Sequence, residues 1–318
     1  MSIKESNTEK YRFRLSLLHP RFWPTWFGLA VFLVLTLLPM SVIDWAGCRL
    51  GNFAAAKNKK RFSIVSTNLS LCYPDKSPDE IEQMVFKNFQ AQFRSLLHYF
   101  ILWWRPEFMV RKKIHTTGFE QISQYQQQGK NIIILLIHNV GLEFAAAAIS
   151  MDHPANAPYK KLRNDVMDWM IANGRLRFGK HFGSKLFTRE DGLKPLIRET
   201  RKGKVLIYLA DEDLGEEHSV FAPFYGVQKA TIPVLGRLAK SCDAVVLPCA
   251  SCYEHETGRY IIKLLPKIDG LHGDANETDA AHMNKAIESA VEQCPLQYLW
   301  TLRYFQTRPE GEASFYDS

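Results

Sequence analysis

His138 and Glu143 are the residues of this chain whose types and spacing most directly suggest catalysis. A carboxylate that accepts a hydrogen bond from one imidazole nitrogen fixes the tautomer and leaves the other nitrogen free to take up a proton. A turn at Gly141 would let the Glu143 carboxylate fold back onto the imidazole, so the spacing predicts a histidine base held by a glutamate. The structural alternative is a strand-end histidine satisfied by nearby backbone, followed by an ordinary acid in the first turn of a helix.

The segment around this pair predicts a buried strand that ends at His138. Six consecutive aliphatic residues, Ile132 to Ile137, precede the histidine, and such a run is typical of a strand buried on both faces. The alanine-rich run from Phe144 to Ile149 predicts a helix that packs closely on this strand. In open α/β sheets, ligands bind where strands end and helices begin. His138 therefore lies where such a fold places its site.

Asp211 is a second candidate at the same edge of the sheet. It ends the predicted strand 204–211, as His138 ends its own strand, so the two side chains are expected to face one crevice. Asp213 follows in the loop and is interpreted as an ordinary loop acid or helix cap.

Two arginines stand two residues apart near the end of a predicted helix over 165–178. Arg175 and Arg177 then face different sides of the helix, so one can enter a polar site while the other meets solvent or a phosphate. A fully solvated helix face is the alternative.

The composition is that of a folded, basic protein. The 318 residues suit one large domain or two small ones, and a hydrophobic fraction of 46% is ample for a core. The net charge of +7 suggests an acidic partner, which could be nucleic acid, anionic lipid or an acidic protein.

The six cysteines show no disulfide framework and are predicted to be reduced and buried, which fits a cytosolic compartment. Cys249 and Cys252 form one C-x-x-C, but they fall in a predicted strand and have no second pair, so a zinc site is disfavoured.

The N-terminal region predicts a membrane anchor. Residues 1–21 are polar and basic, and residues 22–45 form an apolar stretch flanked by Trp23, Trp26 and Trp45, long enough to span a bilayer. Pro39 is expected to kink or end this helix. A helix that lies along the inner face of the membrane and a buried core helix are the alternatives. Residues 46–318 are predicted to form a single α/β domain.

Alternating helix and strand patterns after His138 predict a mainly parallel central sheet flanked by helices. The strand 259–266 is expected to pair with 244–253 as a hairpin. The other predicted elements are helices at 62–76, 165–178, 191–202, 231–241 and 274–293, a helix that begins at Ser77, and strands at 204–211 and 297–305.

Several catalytic signatures are absent from the sequence. It contains no G-x-S-x-G, H-E-x-x-H, Walker A or G-x-G-x-x-G pattern, which disfavours a serine hydrolase, a zinc protease, an NTPase and a dinucleotide enzyme. What remains is a base with no protein nucleophile beside it. That arrangement suits direct attack by a substrate hydroxyl on an activated acyl group.

Taken together, the motifs of this chain resemble those of the late (secondary) lipid A acyltransferases of Gram-negative bacteria, the lauroyl/myristoyl transferase family. The resemblance extends from the N-terminal apolar stretch almost to the C-terminus, and two segments, 188–203 and 229–240, are closer to the myristoyltransferase branch. The matching motifs are H-x4-D/E at His138 and Glu143, NGRLRFG at 173–179, ADEDLGEEHSVFAPFYGVQKAT at 210–231 and YLWTLRYFQTRPEGEASFY at 298–316.

The resemblance implies a fold, a membrane location and a set of site residues. The fold is an α/β sheet like that of glycerolipid acyltransferases, on the cytoplasmic face of the bacterial inner membrane. The implied catalytic residues are His138 as base and Glu143 as its partner, with Arg175 and Asp211 in supporting or substrate-binding roles. The family's Y-R-P-x-x-N-P motif is altered here at 159–165, where Lys160 or Arg163 remains to meet a phosphate.

The implied reaction moves a lauroyl or myristoyl chain from an acyl carrier protein thioester to a 3-hydroxyl of an acyl chain on a Kdo-bearing lipid A precursor. The implied partners are the acyl carrier protein, this glycolipid and membrane lipids, with no metal, cofactor or nucleic acid. Two alternatives remain open. One is an acyltransferase for another membrane lipid, such as a lysophospholipid or a mannosylated phosphoinositide, and the other is a non-catalytic, membrane-anchored lipid-binding protein.

Overall fold

A seven-stranded sheet with the strand order β1-β9-β8-β2-β5-β3-β4 lies at the centre of the computed structural model, which describes residues 11–316 apart from the side chain of Arg189. Every neighbouring pair in this sheet is parallel except β8 and β9, which form the predicted hairpin. The strands are β1 Ile114–Thr117, β2 Asn131–Leu136, β3 Ala155–Pro158, β4 Lys185–Phe187, β5 Val205–Leu209, β6 Val220–Phe224, β7 Val227–Thr231, β8 Ala244–Glu254 and β9 Arg259–Leu264.

Helices cover this sheet, so the predicted α/β architecture with a mainly parallel sheet is confirmed. The helices are α1 Trp23–Leu35, α2 Met40–Lys57, α3 Lys59–Cys72, α4 Pro78–Trp104, α5 Glu107–Arg111, α6 Glu120–Gln127, α7 Leu142–Asp152, α8 Asp165–Leu176, α9 Leu193–Thr200, α10 Val234–Cys242 and α11 Asn276–Val291.

Strand β2 is the centre of the core. It pairs with β5 on one side and β8 on the other, and its aliphatic side chains alternate between two buried clusters, one on each face of the sheet. Ile133 and Leu135 enter one cluster, whereas Ile132 and Ile134 enter the other, together with Phe144 from α7. The prediction of a strand buried on both faces, followed by a closely packed helix, is therefore confirmed.

The segment 220–231, for which no strand was predicted, contains two strands. It forms a separate two-stranded antiparallel hairpin, β6–β7, so the helix predicted from residue 231 begins only at Val234. The turn between the strands needs left-handed backbone, which Tyr225 and Gly226 supply at φ +50° and +78°. A short hairpin with few alternating residues carries little strand signal.

The N-terminal apolar stretch forms two helices instead of one. Helix α1 ends at Leu35 and α2 begins at Met40, directly after Pro39, in agreement with the expected break at this proline. Among residues 11–316, no helix is both long and apolar enough to cross a membrane. The structure therefore does not support the continuous anchor helix predicted over residues 22–45.

Helix α2 packs with its backbone almost touching that of α4. A Cβ added to Gly47 would lie 2.6 Å from Arg94 Cα, and one added to Gly51 would lie 2.6 Å from Gln90 Cα. The two glycines are one helical turn apart and therefore share the face that contacts α4.

Gly51→Ala is expected to lower the free energy of unfolding by about 1–3 kcal/mol, because the added methyl group would enter the backbone of α4 and force the helices apart. Gly28→Ala in α1 is the matched control, since a Cβ there would meet nothing within 4 Å. The control should leave stability unchanged or raise it by up to about 1 kcal/mol, because alanine favours a helix over glycine. Urea denaturation of both variants, followed by circular dichroism, measures this difference, and equal effects would argue against the close contact.

One disulfide links β8 to the segment that follows α11. Cys252 and Cys294 form this bond, so the prediction that all six cysteines are reduced is wrong for this pair. The two residues are 42 positions apart and meet only after α11 has packed beside the sheet, which the sequence spacing did not reveal. The free cysteines are Cys48, Cys72, Cys242 and Cys249.

The segment 297–305, predicted as a strand, is irregular. Its one ladder-like contact is an isolated bridge between Tyr298 and Asn139. The alternating apolar residues that suggested a strand are instead buried aromatic rings, and Tyr298 stacks on Tyr304 with ring centroids 4.7 Å apart. Leu299 N donates a hydrogen bond to His138 O, so this aromatic segment is fixed against the end of β2.

Candidate active site

The register between β2 and β5 places His138 beside Asp211. Leu136 pairs with Leu209 at the carboxyl ends of these parallel strands. His138 and Asp211 each lie two residues beyond these paired leucines, at the same edge of the sheet. The prediction that they share one edge of the sheet is confirmed.

Asp211 holds His138 through both of its carboxylate oxygens. Its Oδ1 lies 2.7 Å from His138 Nδ1, and its Oδ2 accepts a hydrogen bond from the His138 backbone N at 2.7 Å. Tyr298 adds a third hydrogen bond, from its hydroxyl to Oδ2 at 2.9 Å. An ionised carboxylate can only accept, so Nδ1 carries a proton and Nε2 of the neutral ring is left as the base.

Burial and charge act in opposite directions on this pair. Burial by itself lowers the pKa of His138, but the charge and hydrogen bond of Asp211, with the charge of Glu212, outweigh it and raise the pKa above its ordinary 6.5. Burial by itself would raise the pKa of Asp211. The charge of His138 and the hydrogen bonds that Asp211 accepts from His138 and Tyr298 outweigh burial and lower that pKa. Glu212 lies at the outer side of the ring, with Oε1 3.4 Å from Nε2.

Glu143 has a different partner from the one predicted. Its carboxylate accepts hydrogen bonds from Arg175, from Nε at 3.0 Å and from Nη2 at 2.5 Å, and the predicted hydrogen bond to His138 is replaced by that of Asp211. The reason is that Glu143 lies in the first turn of α7, where its side chain meets α8. The predicted hydrogen bond between His138 and Glu143 is therefore wrong, whereas a catalytic role for Glu143 stays a prediction.

Arg175 in α8 and Arg177 just after it point in different directions, as predicted. Neither lies on a fully solvated helix face. Arg175 enters the polar site beside Glu143, and a third of its side chain remains exposed. Arg177 donates hydrogen bonds to the carbonyl oxygens of Trp103 at 2.6 Å and Leu102 at 3.2 Å, at the end of α4. This second arginine therefore satisfies carbonyl groups left unpaired at a helix C-terminus.

The remaining predicted residues lie apart from this pair. Lys160 and Arg163 are exposed in the loop before α8, and their contact with a phosphate stays a prediction. Within the same loop, Asn164 caps α8 by accepting from the backbone of its first turn. Asp213 accepts hydrogen bonds from the Thr307 backbone N at 2.7 Å and hydroxyl at 2.8 Å, which confirms its interpretation as a loop acid.

Tyr298 and Glu212 are site residues that sequence reasoning missed. Tyr298 had been assigned to a strand, so its hydroxyl was given no role, although it begins one of the motifs that carry the resemblance and this was a usable signal. Glu212 lies between two aspartates that had been considered, and only the fold shows that its side chain reaches the outer nitrogen of His138.

Comparison with known proteins gives one consistent result. Residues 10–307 match the family described as bacterial lipid A biosynthesis acyltransferase. The chain is 36% identical over 306 residues to a lipid A biosynthesis lauroyltransferase of Escherichia coli K12, with 96% of this chain and 98% of the relative covered. It is 33% identical over 318 residues to the lipid A biosynthesis myristoyltransferase of the same strain, covering 99% of this chain and 97% of the relative. A lipid A biosynthesis palmitoleoyltransferase of that strain is 32% identical, covering 96% of this chain and 98% of the relative.

Proposed function

The chain belongs to the family of bacterial lipid A biosynthesis acyltransferases, and from this we propose that it transfers a lauroyl or myristoyl chain from an acyl carrier protein thioester to a 3-hydroxyl of an acyl chain on a Kdo-bearing lipid A precursor. The observation that carries the proposal is the His138–Asp211 hydrogen bond at the carboxyl edge of the sheet. Within residues 11–316, His138 has no serine or cysteine hydrogen-bond partner, so the base is left to act on a hydroxyl of the substrate.

His138 Nε2 takes the proton of the acceptor hydroxyl while the hydroxyl oxygen attacks the thioester carbonyl. The carbon–sulfur bond then breaks, the new ester forms, and the imidazolium returns its proton to the leaving thiolate. Asp211 keeps the imidazole in the required tautomer and stabilises the imidazolium, as the acid does in a catalytic triad.

Arg175 is proposed to stabilise the negative charge that develops on the carbonyl oxygen. Glu143 occupies its Nε and Nη2, and no hydrogen bond to Nη1 occurs within the part of the chain that the structure describes, so this group remains to donate to the substrate. A guanidinium held in place by a buried carboxylate needs little reorganisation during the reaction. In this arrangement Glu143 acts on the reaction through Arg175.

The two N-terminal helices are proposed to hold the enzyme on the membrane that contains its acceptor. The exposed apolar side chains of these helices and of the turn between them form a larger set than soluble surfaces usually carry. Exposed Lys57, Lys59, Lys60 and Arg61 follow, which favours contact with anionic lipid. The exposed apolar residues are Trp23, Phe27, Val31, Leu33, Val34, Leu37, Leu38, Val42, Trp45, Leu50 and Phe53.

Mass spectrometry of lipid A precursor incubated with the protein and a panel of acyl carrier thioesters tests the proposal. A single mass gain that matches one donor chain, absent with His138→Gln, is expected and identifies the chain length. Transfer to a lysophospholipid but not to the precursor would replace the proposal with its nearest alternative. No transfer to any acceptor by folded protein would favour a non-catalytic lipid-binding role.

The pH dependence of the reaction should reveal the raised pKa of His138. A base must be unprotonated, so kcat/KM is expected to fall as pH decreases through a midpoint above the ordinary histidine value of 6.5. Initial rates at subsaturating precursor, from about pH 5.5 to pH 9, measure that midpoint. A midpoint at or below 6.5 would contradict the electrostatic effect of Asp211 and Glu212.

A further inference from the structure

Lys229 on β7 is a buried lysine. Lys229 is only 1% exposed, and its Nζ has no hydrogen-bond partner within residues 11–316. Burying an ammonium group without hydrogen bonds is costly, and most buried polar groups in proteins are paired. A methionine would fill the same space without this cost, so packing of the hairpin alone does not explain a lysine.

The surroundings of Lys229 connect it to the catalytic pair. Its Nζ lies 5.8 Å from the centroid of the Phe224 ring, and this ring contacts Tyr304 in the segment whose Tyr298 donates to Asp211. The charged groups that act on Lys229 are the three successive carboxylates after β5, with Asp211 the strongest, followed by Asp213 and Glu212.

Other ionisable groups on the elements packed against the hairpin have partners or stay neutral. Arg308 donates a hydrogen bond to Gln228 O at 2.5 Å and pairs with Glu312, and Glu288 of α11 accepts from the Tyr225 backbone N. The hydroxyls of Tyr298 and Tyr304 are neutral, because burial raises their pKa well above 10. The charges that Lys229 can offset are those of residues 211–213, because Asp213 accepts from Thr307 N and the next residue, Arg308, donates to Gln228 O beside Lys229.

We propose that Lys229 is a positioning residue for acyl transfer, whose buried positive charge offsets the carboxylates of residues 211–213 and so sets the pH range in which His138 acts as a base. The inference rests on the proposed function of His138. Two negative charges beside the imidazole, Asp211 and Glu212, favour its protonated form, which is inactive as a base. Arg175 favours the neutral form, and a positive charge on Lys229 would act in the same direction.

Lys229 is charged at the pH where this effect is needed. Burial lowers the pKa of Lys229 to about 8, although the three carboxylates oppose this decrease. The side chain therefore remains mostly cationic near pH 7. Since its folded-state pKa is lower than that of an unfolded lysine, its charge opposes folding at neutral pH and does so less as pH rises above about 8.

Lys229→Met is the variant that tests the proposal. Loss of the positive charge should raise the pKa of His138, so the acid midpoint of the kcat/KM profile is expected to move up by about 0.5–1 pH unit. At pH 6.5 the variant should be roughly 3- to 10-fold less active than the wild type, with little difference near pH 9. Its melting temperature should equal or exceed that of the wild type, because an unpaired buried charge has been removed. A purely structural lysine would instead lower the melting temperature and leave the midpoint in place.

Glu212→Gln provides a charge-compensation control. This change removes one negative charge 3.4 Å from His138 Nε2, so it should lower the acid midpoint alone and return it towards the wild-type value in the double variant with Lys229→Met. Lys229→Arg, which keeps the charge, should retain the wild-type midpoint and serves if Lys229→Met does not fold. An unshifted midpoint in Lys229→Met, or a shift that Glu212→Gln does not reverse, would overturn the inference. Absence of acyl transfer by the wild type would refute the proposed function instead.

Discussion

His138→Ala is expected to reduce the rate of acyl transfer by about 10³-fold, within the 10²–10⁴ range typical of a lost general base. The imidazole is the group placed to accept the acceptor's proton, with its Nδ1 held by Asp211 and its Nε2 towards the outer side of the site. Without it, the attacking oxygen must lose its proton to water. The comparison requires initial rates of lipid A product, measured by mass spectrometry at saturating donor.

The fold should survive this change. His138 is partly exposed, and Asp211 keeps the hydrogen bonds from Tyr298 and from the backbone N of residue 138. His138→Gln is the matched control, since its side-chain amide can still donate to Asp211 but cannot act as a base. Both variants should lose the same activity, with the smaller loss of thermal stability in the glutamine variant. Activity within 10-fold of the wild type in a folded alanine variant would remove His138 from the reaction.

Asp211→Asn is expected to lower kcat by about 10²–10⁴-fold, because an asparagine can donate to Nδ1 and so favour the tautomer in which Nε2 carries the proton. The change also removes the negative charge that raises the pKa of His138. The acid midpoint of the remaining activity should therefore move to lower pH. Rates measured across the pH range separate this shift from the loss in kcat.

Glu143→Gln is the comparison that distinguishes the two carboxylates. A glutamine oxygen still accepts from Arg175, so activity is expected to fall by about 10-fold or less, and the acid midpoint should change little because Glu143 contacts Arg175 and not His138. If Glu143→Gln were the variant that lost most activity and shifted the midpoint, while Asp211→Asn retained both, His138 would have Glu143 as its working partner. That result would contradict the hydrogen bonding described for the site.

The location of the site could be predicted from residues 131–149 because the pattern there is local. An unbroken aliphatic run has few alternatives to a buried central strand, and a histidine at its end must then lie at the sheet edge. The alternation of helices and strands likewise restricts the fold to a parallel sheet with crossover helices. Asp211 could be assigned to the same edge for the same reason.

The break at Pro39 was also visible in the sequence, but the packing of the following helix, α2, against α4 was not. The sequence shows how many apolar residues are consecutive, whereas Gly47 and Gly51 pack against Arg94 and Gln90 of α4, which lie 47 and 39 positions away. The Cys252–Cys294 bond and the irregular segment 297–305 were missed for the same reason. Each depends on a contact between segments that are distant in the chain.

The sequence alone determined the fold class, the family and the edge of the sheet at which His138 lies, because strand periodicity and motif order are properties of the chain itself. The tertiary structure alone decided which carboxylate holds His138, which carboxylate holds Arg175, and that Lys229 is buried near residues 211–213. The short spacing from His138 to Glu143 favoured the local partner, but the register of β2 on β5 brings Asp211 closer, and the position of α8 brings Arg175 to Glu143. A hydrogen bond forms only between atoms that lie close in space. For His138 and Asp211, which are 73 residues apart in sequence, strand pairing sets that distance.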